Sequence, residues 1–93
     1  MRKIERTNQF KKDYKRESKS HHRITLPHDF EKIISILAND KIPNPHYRDH
    51  ALSGNWKNYR DCHIKPDLIL IYRKPDAEIL ELVRLGSHSE LSL

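Results

Sequence analysis

Four side chains in this sequence have the chemistry that general acid–base catalysis uses: His50, His63, Asp67 and His88. Three of them fall in one stretch, Tyr47 to Asp67, which reads Tyr-Arg-Asp-His-Ala-Leu-Ser-Gly-Asn-Trp-Lys-Asn-Tyr-Arg-Asp-Cys-His-Ile-Lys-Pro-Asp. Such groups are costly to bury, and folding alone does not explain so many together. Imidazole exchanges protons near neutral pH, so it suits both the base and the acid of a proton-transfer reaction. A carboxylate such as Asp67 can serve as the base or orient an imidazole. Arginine or lysine balances negative charge that develops on phosphorus. These are the requirements for cleaving RNA through its 2′-hydroxyl, and they need no metal ion or cofactor. Candidate phosphate- and RNA-binding groups are Arg60, Arg84 and Lys57, and Tyr59 is a candidate for stacking on a base.

Each residue also has a plainer explanation. A lone histidine in a small basic protein is commonly surface filler. Trp56 is expected on a core face, and Cys62 is expected as a small buried hydrophobe. His21 and His22, being adjacent, suit a solvated loop. A zinc site made from the histidines and Asp67 would draw on separate elements without short ligand spacing, so no metal site is expected.

The elements that must position these residues follow from the pattern. Residues 2–6 read as a short edge strand. Thr7 can cap a helix over 7–18, with Phe10 and Tyr14 on one face. Thr25 offers a second cap, with Pro27 in the first turn. Phe30, Ile33, Ile34 and Leu37 then mark the clearest helix, over 26–39. Pro43 and Pro45 make 41–52 an irregular loop. From Trp56 the period becomes two: Trp56, Cys62 and Ile64 face the core, while Tyr59, Asp61 and His63 face outward. Pro66-Asp67 turns the chain into Leu68–Tyr72, which is apolar on both faces. Lys74-Pro75-Asp76 turns it again into a strand from Ile79 to Gly86. The residues after Ser87 form a helical turn or a tail. The expected architecture is α+β in the order β-α-α-β-β-β: an antiparallel sheet with two helices on one face and an uncovered face carrying His63.

At 93 residues, one domain over 1–93 is expected. No apolar run approaches the ~20 residues of a membrane span. The N-terminus has no apolar secretory segment, and the single cysteine excludes an internal disulfide, so a cytoplasmic location is expected. The net charge is +5. Residues 1–23 carry nine Lys/Arg against three Asp/Glu, and the remainder is close to balance. A basic first quarter suits a polyanion or an acidic protein partner.

Three segments resemble one family. Tyr-Arg-Asp-His-Ala-Leu-Ser-Gly at 47–54 resembles the Y-K-D-H-x-L-x-G element of YafQ-type toxins, a branch of the RelE superfamily of bacterial toxin–antitoxin modules. Asn-Tyr-Arg-Asp-Cys-His-Ile-Lys-Pro-Asp at 58–67 resembles the family's Y/F-R-D/E-x-H-x-x-P-D element, followed by its apolar strand. Arg-Leu-Gly-Ser-His-Ser-Glu-Leu at 84–91 resembles its R-x-G-[ST]-H-x-x-L ending. The resemblance implies a RelE, microbial-ribonuclease-like fold. It implies a bacterial, ribosome-dependent mRNA endonuclease that works in the 30S A site against rRNA. It further implies an acidic DinJ-like antitoxin and operator DNA bound through the antitoxin complex. Carried over by position, it makes His88 the acid and Asp67 the base or its orienter, with His50 and His63 at the phosphate. Two departures stand out: Leu68 replaces a tryptophan found in some relatives, and Ser89–Leu93 lacks a C-terminal aromatic. A catalytically weak member that binds antitoxin or nucleic acid and acts in autorepression is the alternative.

Overall fold

The computed structural model describes residues 1–93. It contains strands β1 (Lys3–Arg6), β2 (His50–Ala51), β3 (Arg60–Lys65), β4 (Leu68–Arg73) and β5 (Ile79–Gly86), and helices α1 (Asn8–Glu17), α2 (Leu26–Ala38) and α3 (His88–Leu91). The strands form one sheet in the order β1-β5-β4-β3-β2. The α+β class and the two N-terminal helices agree with the sequence pattern. A wholly antiparallel sheet does not, because β1 lies parallel to β5. The chain leaves β1 into the helices and returns to that edge only with its last strand. The short strand β2, inside the stretch expected to be irregular, pairs with β3 at the other edge.

Local chemistry sets the helix ends. Thr7 caps α1 by accepting the Phe10 N–H at 3.0 Å. Thr25 is itself helical in backbone and makes no capping bond, so α2 starts on Pro27 in its first turn instead. Asp40, with φ of +56°, ends α2. The apolar stripe of the helices (Phe10, Leu26, Ile33, Ile34, Leu37) packs against Cys62, Ile64, Leu68, Leu70, Tyr72, Leu80, Leu82 and Leu85 from the sheet. The other face is not bare, contrary to expectation. Ile69, Ile71 and Leu91 form a second, smaller cluster with Leu52, Trp56, Tyr59 and Val83 packed around it. Trp56 therefore sits on this face and not in the main core, because a 3-10 turn over Gly54–Trp56 precedes β3 and breaks the alternation assumed from Trp56 onward.

β1 pairs with β5 only through Leu82, which leaves the end of β5 without a neighbour on that side. Helix α1 fills the gap. The Thr7 hydroxyl donates to the Val83 carbonyl at 2.8 Å. The Asp13 carboxylate accepts the Leu85 N–H at 3.1 Å and the Arg84 Nε–H at 2.8 Å. Arg16 Nη2 donates to the Leu85 carbonyl at 2.8 Å. Asp13 is fully buried. Burial raises its pKa, but the bonds from Arg84, the Leu85 N–H and Gln9 outweigh that and hold it below the ordinary value.

Asp13→Ala is expected to destabilise the fold by on the order of 3 kcal/mol in chemical denaturation, since it strands Arg84 and the Leu85 N–H. Asp13→Asn gives a pH test. The carboxyl's folded pKa lies below its ordinary 3.8, so its contribution is complete above that value and disappears as pH falls through the lower folded value. The stability gap between parent and Asp13→Asn should narrow on acidification below about pH 4.

Candidate active site

The site lies where β2, β3, β4 and β5 present one end of the smaller-cluster face. His50 pairs across β2 and β3 with Asp61. His63 pairs with Ile69, and Ile69 pairs with Gly86, so β5 ends in the same row. Ser87 then begins α3 with a capping box: its hydroxyl accepts from the Glu90 N–H, and the Glu90 carboxylate accepts the Ser87 N–H. His88 is the first residue of that turn. Gly86 lies directly under two side-chain ends: a Cβ there would lie 2.9 Å from Arg16 Nη2 and 3.2 Å from Glu90 Oε1, so a larger residue would displace these flexible groups. Arg16 and Glu90 form an ion pair at 3.1 Å above it.

The structure brings the four sequence-predicted proton-transfer residues together. The His63 ring lies 6.5 Å from that of His50 and 5.3 Å from that of His88, centroid to centroid. Asp67, at the β3–β4 turn, accepts from His88 Nδ1 at 2.8 Å and from the His88 backbone N–H at 3.1 Å. The bonds from His88 hold the Asp67 carboxyl below its ordinary value. A carboxylate only accepts, so His88 Nδ1 carries a proton and Nε2 is the nitrogen that exchanges one. His50 is pinned in the same manner: Nδ1 donates to the Arg48 carbonyl at 2.6 Å. Arg48 reaches that position through a left-handed backbone, φ +51°. His50, His88 and Asp67 are exposed, whereas His63 is buried. Burial pushes the His63 imidazole below its ordinary 6.5; Asp61 opposes this, and the charges of His88, Arg48 and His50 add to it.

Asp61 was placed on the correct face by strand alternation but not among the site residues. It is 3% exposed. Its Oδ1 lies 3.1 Å from His50 Nδ1 yet makes no hydrogen bond, because that N–H points to the Arg48 carbonyl. Burial raises its pKa, against the nearby imidazoles. The available signal was its i, i+2 relation to His63. Arg48 was also missed, and its backbone conformation gives no sequence signal.

The predicted phosphate binders are placed differently. Arg84 is held by Asp13 at 2.8 Å. Arg60 shares the strand parity of Cys62, points to the helix side, and pairs with Asp49 at 3.3 Å. Neither guanidinium joins the histidines. Lys57 is exposed in the turn before β3, and Tyr59 is half-buried there. Trp56 meets the Tyr59 ring edge-on at 5.4 Å, and the Arg73 guanidinium lies 5.4 Å from its centre. Leu91, in the segment that lacks an aromatic, is buried on Ile69 and Ile71.

A mixed sheet with two helices on one face and an imidazole–carboxylate site on the other defines a RelE-like α+β protein. A family model described as "Bacterial toxin of type II toxin-antitoxin system, YafQ" matches residues 2–93, and the chain belongs to that family. It is 40% identical over 91 residues to the mRNA interferase toxin YafQ of Escherichia coli K12, covering 97% of this chain and 95% of that one. The E. coli DinJ–YafQ complex superposes with a TM-score of 0.82 at 37% identity, covering 98% of each chain. A copper-bound variant toxin from Helicobacter pylori gives 0.85 at 38%, covering 98% of this chain and 99% of that one. In the present chain no three His, Cys, Asp or Glu side chains are grouped so as to hold a metal ion. No helix is long and apolar enough to cross a membrane.

Histidine side-chain NMR checks these electrostatics. His63 should titrate below 6.5. Removing the opposing charge with Asp61→Asn should lower it further; an unchanged or higher value would contradict the Asp61–His63 coupling.

Proposed function

We propose that this chain is an mRNA interferase, an endoribonuclease that cuts mRNA in the ribosomal A site by acid–base catalysis. The observation that carries this reading is the row His50–His63–His88, with each outer ring held through Nδ1 and the inner ring buried. In-line displacement at phosphorus puts the attacking and leaving oxygens on opposite sides. The base and the acid must therefore flank the phosphate, as His50 and His88 flank His63. His50 Nε2 takes the proton of the 2′-hydroxyl, and the 2′-oxygen forms its bond to phosphorus. The bond to the 5′-oxygen breaks, and His88 Nε2 protonates that oxygen. The products are a 2′,3′-cyclic phosphate and a free 5′-hydroxyl. Asp67 acts as the orienter of His88, holding its Nδ1–H so that Nε2 faces the leaving oxygen. Asp61, with its spare acceptor, stabilises the imidazolium formed on His50.

The E. coli relative YafQ is called an mRNA interferase, and it is solved in complex with the protein DinJ. By the same likeness this chain is neutralised by an acidic antitoxin and reaches operator DNA through that complex. Nine Lys/Arg against three Asp/Glu over residues 1–23 suit both an acidic protein and rRNA. A ribosomal target places the protein in the bacterial cytoplasm.

Expression with and without the acid tests the proposal. Growth arrest by the parent and none by His88→Ala, with unchanged circular dichroism, is the expected outcome. Single-turnover cleavage on programmed ribosomes should slow by about 10²–10⁴ in that variant. Undiminished toxicity of His88→Ala would overturn the assignment.

A further inference from the structure

In-line cleavage builds negative charge on the phosphoryl oxygens, and a nearby cation normally balances it. The two arginines that the sequence offers for this are both held elsewhere, Arg84 by Asp13 and Arg60 by Asp49. Beside His63 there is a cavity of about 430 Å³ lined by His46, Arg48, His63, Ile64, Lys65 and Pro66. Its size falls in the range of small-ligand sites. No carboxylate lines it. Lys65 is paired with Asp29 on α2 at 2.8 Å, and His46 Nδ1 is paired with Asn44 at 2.8 Å. The Arg48 guanidinium, by contrast, is exposed and makes no hydrogen bond or ion pair with the protein. Its main chain is tied into the site, since the left-handed turn that aims its carbonyl at His50 also leads its side chain to the cavity wall.

We propose that Arg48 is the phosphate-binding residue of the site, and that the cavity beside His63 seats the sugar of the single-stranded RNA nucleotide adjoining the scissile phosphate. The proposal rests on the endoribonuclease reading and adds the cation that reading lacks. A planar guanidinium meets two phosphoryl oxygens at once, which a lysine ammonium does not. The chain runs from Arg48 to His50 across one intervening residue, so the residue that grips the phosphate and the proposed base are set by one turn.

Two measurements test it. Arg48→Asn removes the guanidinium while keeping a residue that tolerates the left-handed backbone. In single-turnover cleavage on programmed ribosomes it should slow the reaction about 10²–10³-fold, and Arg48→Lys should recover about tenfold of that loss. Lys32→Ala removes the same charge from the outer side of α2 and should stay within about twofold of the parent. Separately, adenosine 3′-monophosphate is titrated into the free protein and followed by NMR. Saturable shifts of the His63 ring and of Arg48 Nε–H are expected in the parent and in Lys32→Ala, and none at His63 in Arg48→Asn. The His63 pKa should also rise in Arg48→Asn. Cleavage by Arg48→Asn within about threefold of the parent, or nucleotide shifts at His63 that survive the substitution, would overturn the proposal. A parent that binds the nucleotide through Arg48 but cuts no mRNA would overturn the endoribonuclease reading and leave the phosphate site standing.

Discussion

On its β1 side, half of β5 has no strand beside it, and the architecture of the site depends on what takes that strand's place. β1 stops pairing at Leu82; beyond it the α1 cap Thr7 bonds to Val83, Asp13 to Arg84 and the Leu85 N–H, and Arg16 to the Leu85 carbonyl. An unpaired N–H or carbonyl on a buried strand costs as much as a lost hydrogen bond, so this edge needs partners whatever the function. The partners lie just before His88, the proposed acid. Gly86, Ser87 and His88 follow Leu85 directly, and Arg16 reaches past Gly86 to Glu90, which caps the turn holding His88. One helix thus closes the sheet edge and fixes where the chain end emerges.

Much of this was legible because it rests on local pattern. The α2 stripe, the Thr7 cap, the Pro66-Asp67 turn and the apolar Leu68–Tyr72 strand are each read within a few residues. What the sequence hid depends on distance along the chain. The parallel pairing of β1 with β5 joins residues such as Lys3 and Ile79, and nothing in a four-residue exposed strand states which neighbour it will find. Trp56 was misassigned for a different reason. Period-two reading assumes an unbroken strand, and a single 3-10 turn at Gly54–Trp56 shifts every earlier residue out of phase.

The proton-transfer residues and the cations contrast in the same manner. Histidines and Asp67 are recognisable by type, and strand alternation and turn position brought them to one face. An arginine's role is set by its partner, and the partners of Arg84 and Arg60 are Asp13 and Asp49, 71 and 11 residues away. Asp61 is the intermediate case. Alternation placed it beside His63, but only the three-dimensional path of His50 shows that one of its oxygens is buried and unpartnered.

Holding two arginines away from the histidines has a chemical consequence. At about 4 Å and an effective dielectric near 20, a guanidinium and an imidazolium repel by about 4 kcal/mol, roughly a thousandfold in the proton affinity of the imidazole. A site with Arg60, Arg84 and Arg48 all at the phosphate would hold a phosphate well but would disfavour the charged form of an imidazole beside it. In the observed arrangement Asp13 and Asp49 take up two of those charges, and His88 has Asp67 for its neighbour. Arg48 lines the same cavity as His63, whose pKa burial already holds below its ordinary value. A positive surface suited to the proposed RNA target comes instead from the lysines of α1. Exposed charges beyond the ~8 Å screening length at physiological salt act on encounter far more than on the proton affinities of the site. Attraction and catalysis can then be set separately, the first by surface charge on the helix and the second by which carboxylate each ring touches.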